Sequence, residues 1–250
     1  MNYWNILCNQ LAIDYCCLPE DVKDSRNHFS EHHFLDGRRT YLEREECYLK
    51  IAVINGKLLF SGKSDIIAWC EKQYPDTGGE WFFEAKNLHK LNKRIHQDGY
   101  QIGCAHPFFI PEHDIALMSD NYVYQWYEVD DIAQFRDDSR YKNAYGFCET
   151  APDVIGVSAS QDGVILGMAG ASCDSPTMWQ IGIDVGKNAR HRGIGKLLVS
   201  MLKSEIMKRG ILPFYGTGMS HIGSQNVALG AGFKPAWAEL VTEKMKERGI

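Results

Sequence analysis

Gln180-Ile-Gly-Ile-Asp184-Val185-Gly-Lys-Asn-Ala-Arg190-His191-Arg192-Gly193-Ile194-Gly195-Lys196-Leu-Leu198 decides the fold. Gln180–Val185 closes an apolar strand that begins at Thr177. A Gly- and Arg-rich loop then turns the chain into a helix. Ile194, Leu197, Leu198, Met201, Leu202 and Ile206 recur at i, i+3, i+4 and i+7, which gives that helix one apolar stripe. A strand–loop–helix junction of this kind aims unpaired backbone N–H groups and the positive end of the helix dipole outward, and so suits a phosphate. Gly193 and Gly195 let a ligand approach the backbone without Cβ interference, and Arg190 and Arg192 add positive charge. The loop lacks both G-x-G-x-x-G and G-x-x-x-x-G-K-[ST], so it is neither a dinucleotide fingerprint nor a Walker loop.

Outward from this junction the second half reads as an α+β sheet. A strand is expected over 116–128 and a short helix over Asp130–Asp137. Asp153–Ser160 and Val164–Ser172 form a hairpin about Asp162-Gly163. After the central helix, closed by Gly210, come a strand at Leu212–Gly216 and a short helix ending before Gly232. A last strand covers Phe233–Thr242. The first half is a smaller α+β unit. It has a helix within Tyr3–Cys17 and a hairpin over Cys47–Phe60 about Asn55-Gly56. A helix capped by Ser64-Asp65 runs to Tyr74, another spans Ala85–Asp98, and a strand covers Tyr100–Cys104. His106-Pro107-Phe-Phe-Ile-Pro111-Glu-His-Asp114 reads as a break, because two prolines interrupt a helix or central strand. The expected domains are therefore 1–112 and 113–250.

Composition narrows the class. The chain has 250 residues, 44% of them hydrophobic and 12% aromatic, enough for a sizeable core and too apolar for a disordered chain. No apolar run approaches the ~20 residues of a membrane span. The N-terminus MNYWNILCNQLAIDYCC has no basic residue before its apolar stretch and does not read as a signal peptide. A net charge of −5 argues against a nucleic-acid partner. The eight cysteines include no C-x-x-C pair, and His28 and His32 have no Cys pair before them, so no metal is expected. The cysteines read as reduced thiols in a cytoplasmic protein.

Val185-x4-Arg190-x-x-Gly193-x-Gly195 resembles the acyl-CoA motif of the GNAT superfamily of N-acetyltransferases. Ser220-His221-Ile-Gly-Ser224-Gln-Asn-Val-Ala228-Leu-Gly-Ala-Gly232-Phe233 resembles that family's second helical motif, at the right separation. The resemblance covers about residues 116–243. It implies the family's fold, a mixed and mostly antiparallel sheet flanked by helices. It also implies acetyl-CoA as co-substrate, with direct attack of a primary amine on the thioester. Arg190, His191, Arg192, Gly193, Ile194, Gly195 and Lys196 would hold the pyrophosphate. The edge at Ile183, Asp184 and Val185 would pair with the pantetheine amides, and an N–H at the end of that strand would stabilise the oxyanion. The acceptor would be a small molecule or peptide amine, and the protein a monomer or homodimer.

Aligned on Gly232-Phe233, the family's Asn position is His221 and its acidic Tyr position is Ala228, which has no proton to give. Ser224, Tyr215 and His221 are the remaining donors by position. Asp184 and Glu149 are candidate bases, and a chain of waters is an equal alternative. A non-catalytic acyl-CoA sensor, or an interaction module whose first domain binds a protein, stays open beside the enzyme.

Overall fold

The computed structural model describes residues 2–40, 47–114 and 117–245. They fall into two compact units. One takes Phe109–Pro235 with the N-terminal end of the first helix and Arg39-Thr40. The other holds Leu7–Arg38, the described part of Leu42–Phe108 and the run from Ala236.

The larger unit carries β5 (Val123–Glu128), β6 (Asp153–Gln161), β7 (Val164–Cys173), β8 (Met178–Val185) and β9 (Leu212–Gly216), in the order β9-β8-β7-β6-β5. All neighbours are antiparallel except β8 and β9. Asp162 and Gly163 both take positive φ, so the expected turn closes β6 onto β7 with Gln161 opposite Val164. Helices α5 (Val129–Ile132), α6 (Ile194–Lys208) and α7 (Ile222–Gly230) complete this unit. Ile155, Val157, Ala169 and Ala171 pack beneath Ile194, Leu198, Leu202 and Ile206, the stripe anticipated on α6. The opposite face is covered by Phe135, Tyr141 and Tyr145 against Tyr127 and Met168.

The smaller unit contains most of α1 (Tyr3–Asp14), α2 (Pro19–Lys23), β1 (His28–Glu31), β2 (Leu49–Ile54), β3 (Lys57–Gly62), α3 (Ser64–Gln73) and α4 (Ala85–Ile95). To these are added most of β4 (Tyr100–Pro111) and β10 (Phe233–Lys244). Its strands run β1-β3-β2-β10-β4 over a core of Leu49, Ile51, Phe60, Ile66, Leu91 and Ile95.

Three sequence expectations change. Pro107 and Pro111 do not stop the strand, which continues from Tyr100 to Pro111. Proline's fixed φ lies in the extended range, so it costs a ladder donor rather than the strand's extension. Ser64 is the first helical residue of α3, and the cap position is Lys63, in extended conformation, with no side-chain cap bond. The first strand of the second half begins at Val123. Residue 116 of the expected range lies outside the described residues, and 117–122 are not strand.

Candidate active site

β8 is the element on which the site is built. It pairs with β7 from Trp179 to Val185, but with β9 only at Met178, Trp179 and Gln180. Beyond Gln180 and Phe214 the two parallel strands part, which frees one edge of Ile181–Val185. A cavity of about 740 Å³ opens at this fork. Alternation sends Ile183 and Val185 into the core under α6 and turns Asp184 to the other face.

At one end of the cavity lies the loop before α6. Gly193 occupies the cap position with φ +79°, a left-handed conformation that glycine takes without strain. The N–H groups of Arg190 to Lys196 have no acceptor among the described residues, and the first turn of α6 holds no acidic side chain. These donors meet the positive end of a fifteen-residue helix. Arg190, His191 and Lys196 are exposed. Arg192 is drawn aside, its guanidinium donating to Gln161 at 2.7 Å and resting over the Tyr122 ring. Gly195 corrects the expectation of ligand approach. It is buried, and a Cβ there would meet Val227 at 3.3 Å and Val185 at 3.5 Å, so its smallness also serves helix packing.

The wall of the cavity carries the proposed proton donors. The Tyr215 hydroxyl, on β9, lies 2.8 Å from the Ser224 hydroxyl on α7. Burial pushes the Tyr215 phenol up, so it keeps its proton at neutral pH; the bond to Ser224 only partly offsets this. His221 precedes α7, exposed at the rim, and makes no side-chain cap bond. Ala228 does not face the cavity. It is 0% exposed and packs within the core under α6.

Asp184 has a different occupation from the one its position suggested. Its carboxylate accepts from Asn143 N–H at 2.8 Å, Asn143 Nδ2 at 2.5 Å and Ala144 N–H at 2.9 Å. It fixes the Asn143–Tyr145 segment across the sheet. Gly156, Gly170 and Gly182 are register partners on β6, β7 and β8, and they form the trough in which that segment lies. A Cβ on Gly182 would fall 1.8 Å from the Asn143 carbonyl oxygen, and one on Gly156 1.8 Å from the Tyr145 hydroxyl. Glu149 is exposed and does not line the cavity. Asp153, Cys148, Ser172 and Gln180 do line it, and sequence reasoning named none of them as site residues. No local pattern marks them, because register rather than spacing brings them together.

The acetyltransferase (GNAT) family model matches residues 120–233. That stretch of the chain is a GNAT acetyltransferase domain. The match leaves 1–119 outside it. Among solved structures, the chain is similar to a GCN5-related N-acetyltransferase-like protein from Streptococcus suis, with 11% identity, 95% of this chain and 98% of that one covered, and a TM-score of 0.48. It is also similar to a GCN5-related N-acetyltransferase from Kribbella flavida, with 14% identity and a TM-score of 0.49, over 64% of each chain and so less than two thirds of that protein. An acetyltransferase of the GNAT family from Colwellia psychrerythraea shares 12% identity over 80% of this chain and 81% of that one, with a TM-score of 0.44. No curated protein matches the chain.

The GNAT domain has the mixed, mostly antiparallel sheet flanked by helices that its motifs implied. Its family fold is that of acyl-CoA-dependent acetyl transfer. Outside the domain, Asp21, Asp24 and His28 bring potential metal ligands within 4.8 Å of one another. The ammonium of buried Lys57 already sits among them, donating to Asp24 at 2.8 Å and to the Asp21 carbonyl, and His28 bonds Asp24 at 2.9 Å. All eight cysteines are free, and no helix among the described residues is long and apolar enough to cross a membrane.

Proposed function

We propose that the protein is an acetyl-CoA-dependent N-acetyltransferase that acetylates a primary amine by direct attack on the thioester. The observation that carries this reading is the row of N–H groups from Arg190 to Lys196, without an acceptor among the described residues, at the mouth of a cavity that continues into the β8–β9 fork. Those donors and the helix dipole suit a pyrophosphate. Arg190 and Lys196, exposed beside them, add positive charge. The free edge of Ile181–Val185 suits the amides of pantetheine as an added strand.

Acetyl-CoA supplies an activated carbonyl and a thiolate leaving group. The amine nitrogen forms the new C–N bond as the C–S bond breaks, and the electron pair leaves on sulfur. In this reading the Ser224–Tyr215 pair donates a proton to that sulfur; it is supported by the 2.8 Å contact between the two hydroxyls and by the burial that keeps the phenol protonated. Asp184 positions the Asn143–Tyr145 wall and is not the base. Water leading from the rim takes the proton of the incoming ammonium.

A second reading, a non-catalytic acyl-CoA sensor, draws on one observation: Ala228 stands at the family's acid position and is sealed in the core. Incubation with acetyl-CoA and a panel of primary amines separates the two. Amine-dependent release of free thiol supports the enzyme. CoA binding with no thiol release for any amine supports the sensor.

A further inference from the structure

The cavity contains a buried carboxylate that no basic side chain among the described residues pairs with directly. Asp153, at the start of β6, is 8% exposed and lines the cavity. Its oxygens accept one N–H from Gly146 at 3.2 Å and one from Phe147 at 2.7 Å. Among the described residues no Lys, Arg or His pairs with it. Burial pushes this carboxyl up; the two N–H bonds and the charge of Arg136 act against the shift without cancelling it. The Arg136 guanidinium is turned onto the Phe147 ring, 4.7 Å from its centroid, rather than onto the carboxylate. Asp184, the other carboxylate of the lining, has three donors and holds a wall in place. Buried charges are ordinarily paired, and two N–H dipoles compensate only part of a desolvated carboxylate.

Its position would give a bound cation a place in the reaction. Asp153 is the register partner of Ser172, and Ser172 of Gln180, so the three form a row across β6, β7 and β8, and all three line the cavity. The row ends at Gln180, where β8 and β9 part. Two strand spacings put Asp153 roughly 10 Å from that fork. This is too far for contact with an amine at the thioester, but within the length of a small acceptor. Of the other ionisable groups lining this end, Lys142 is exposed at the rim, where solvent screens it, and Cys148 is held by the Thr150 hydroxyl at 3.2 Å. Tyr145, buried alongside, bonds Met168 and stays protonated, because burial pushes it up strongly.

We infer that Asp153 is the counter-ion for a second, non-reacting cationic nitrogen of the acceptor, which makes the acceptor a diamine-type dication with its two nitrogens roughly 10 Å apart. The inference rests on the amine acetyltransfer proposed above and adds the acceptor's chemical class.

Calorimetry on the full chain loaded with CoA tests it. Hexamethylenediamine and octamethylenediamine span the required length; hexylamine and octylamine lack the second charge, and aminohexanoic acid places an anion there. The diamines are expected to bind at least about tenfold more tightly than the monoamines, the scale of one charge-assisted hydrogen bond, and the amino acid least well. In Asp153→Asn the preference for diamines should shrink to within about twofold while hexylamine binding stays unchanged. Equal binding of diamine and monoamine by the wild-type protein would overturn the inference, as would a preference that survives Asp153→Asn. The wild-type ranking decides by itself if the variant does not fold. Failure of the wild-type protein to bind CoA would instead overturn the acyl-CoA reading.

Discussion

The Tyr215 and Ser224 hydroxyls, 2.8 Å apart on the cavity wall, form a single donor unit, so their loss should not be additive. Ser224→Ala and Tyr215→Phe are each expected to lower kcat by about a hundredfold, the low end of general acid help, and to leave acetyl-CoA affinity unchanged. The double variant should fall no further than the worse single one in steady-state kinetics. Ala228→Tyr belongs to a different problem. The residue is sealed among Ile194, Leu198 and Phe233, so a phenol there overpacks the core instead of restoring an acid. A loss of about 1–3 kcal/mol in urea unfolding and no gain in kcat are expected.

Among the elements, β8, its loop and α6 were legible in the sequence because every signal is local. An apolar run, two glycines and a 3.6-residue stripe fall within one stretch of chain. The two hairpins were legible for the same reason: Asn55-Gly56 and Asp162-Gly163 each place both residues at positive φ. The cavity wall at residues 143–145 was not. Gly156, Gly170 and Gly182 become a trough only once β6, β7 and β8 are in register, and the segment that fills it comes from residues 143–145. Asp184 looked like a base because a carboxylate beside the thioester strand has that chemistry; its three donors come from a distant loop. β1 escaped notice because four residues, two of them His and Glu, carry too little apolar alternation. The trough makes a sharp prediction. Gly182→Ala forces its methyl onto the Asn143 carbonyl, so it should cost roughly 1–3 kcal/mol in chemical unfolding despite adding one carbon. Unchanged stability would mean that the segment lies elsewhere.

At the scale of the whole molecule, the GNAT domain accounts for residues 120–233, and a second compact unit precedes and follows it in the chain. In that second unit the Asp24 carboxylate is bonded by Arg26, His28 and Lys57. Burial raises the Asp24 carboxyl, but hydrogen bonds from Lys57, His28 and Arg26 outweigh this and hold it well below its ordinary 3.8. A carboxylate depressed in the folded state stabilises above its unfolded value, and that contribution is lost as pH falls below about 3.8 toward the folded one. The urea midpoint should therefore drop as pH falls below 4. In Lys57→Met, which removes the main partner, this part of the drop should be weaker. An identical pH slope in the two proteins would remove Asp24 as a source of acid sensitivity.

The most direct measurement is a calorimetric titration of CoA, with pantetheine as the ligand lacking the pyrophosphate, into the wild-type chain and into Gly193→Val. The pyrophosphate placement requires Gly193 in its left-handed conformation, so that the N–H groups of Arg190 to Lys196 face the ligand. The expected result is that wild-type protein binds CoA much more tightly than pantetheine, and that Gly193→Val, with its thermal unfolding still cooperative, binds CoA no better than pantetheine. A folded Gly193→Val protein with undiminished CoA affinity would contradict the assignment.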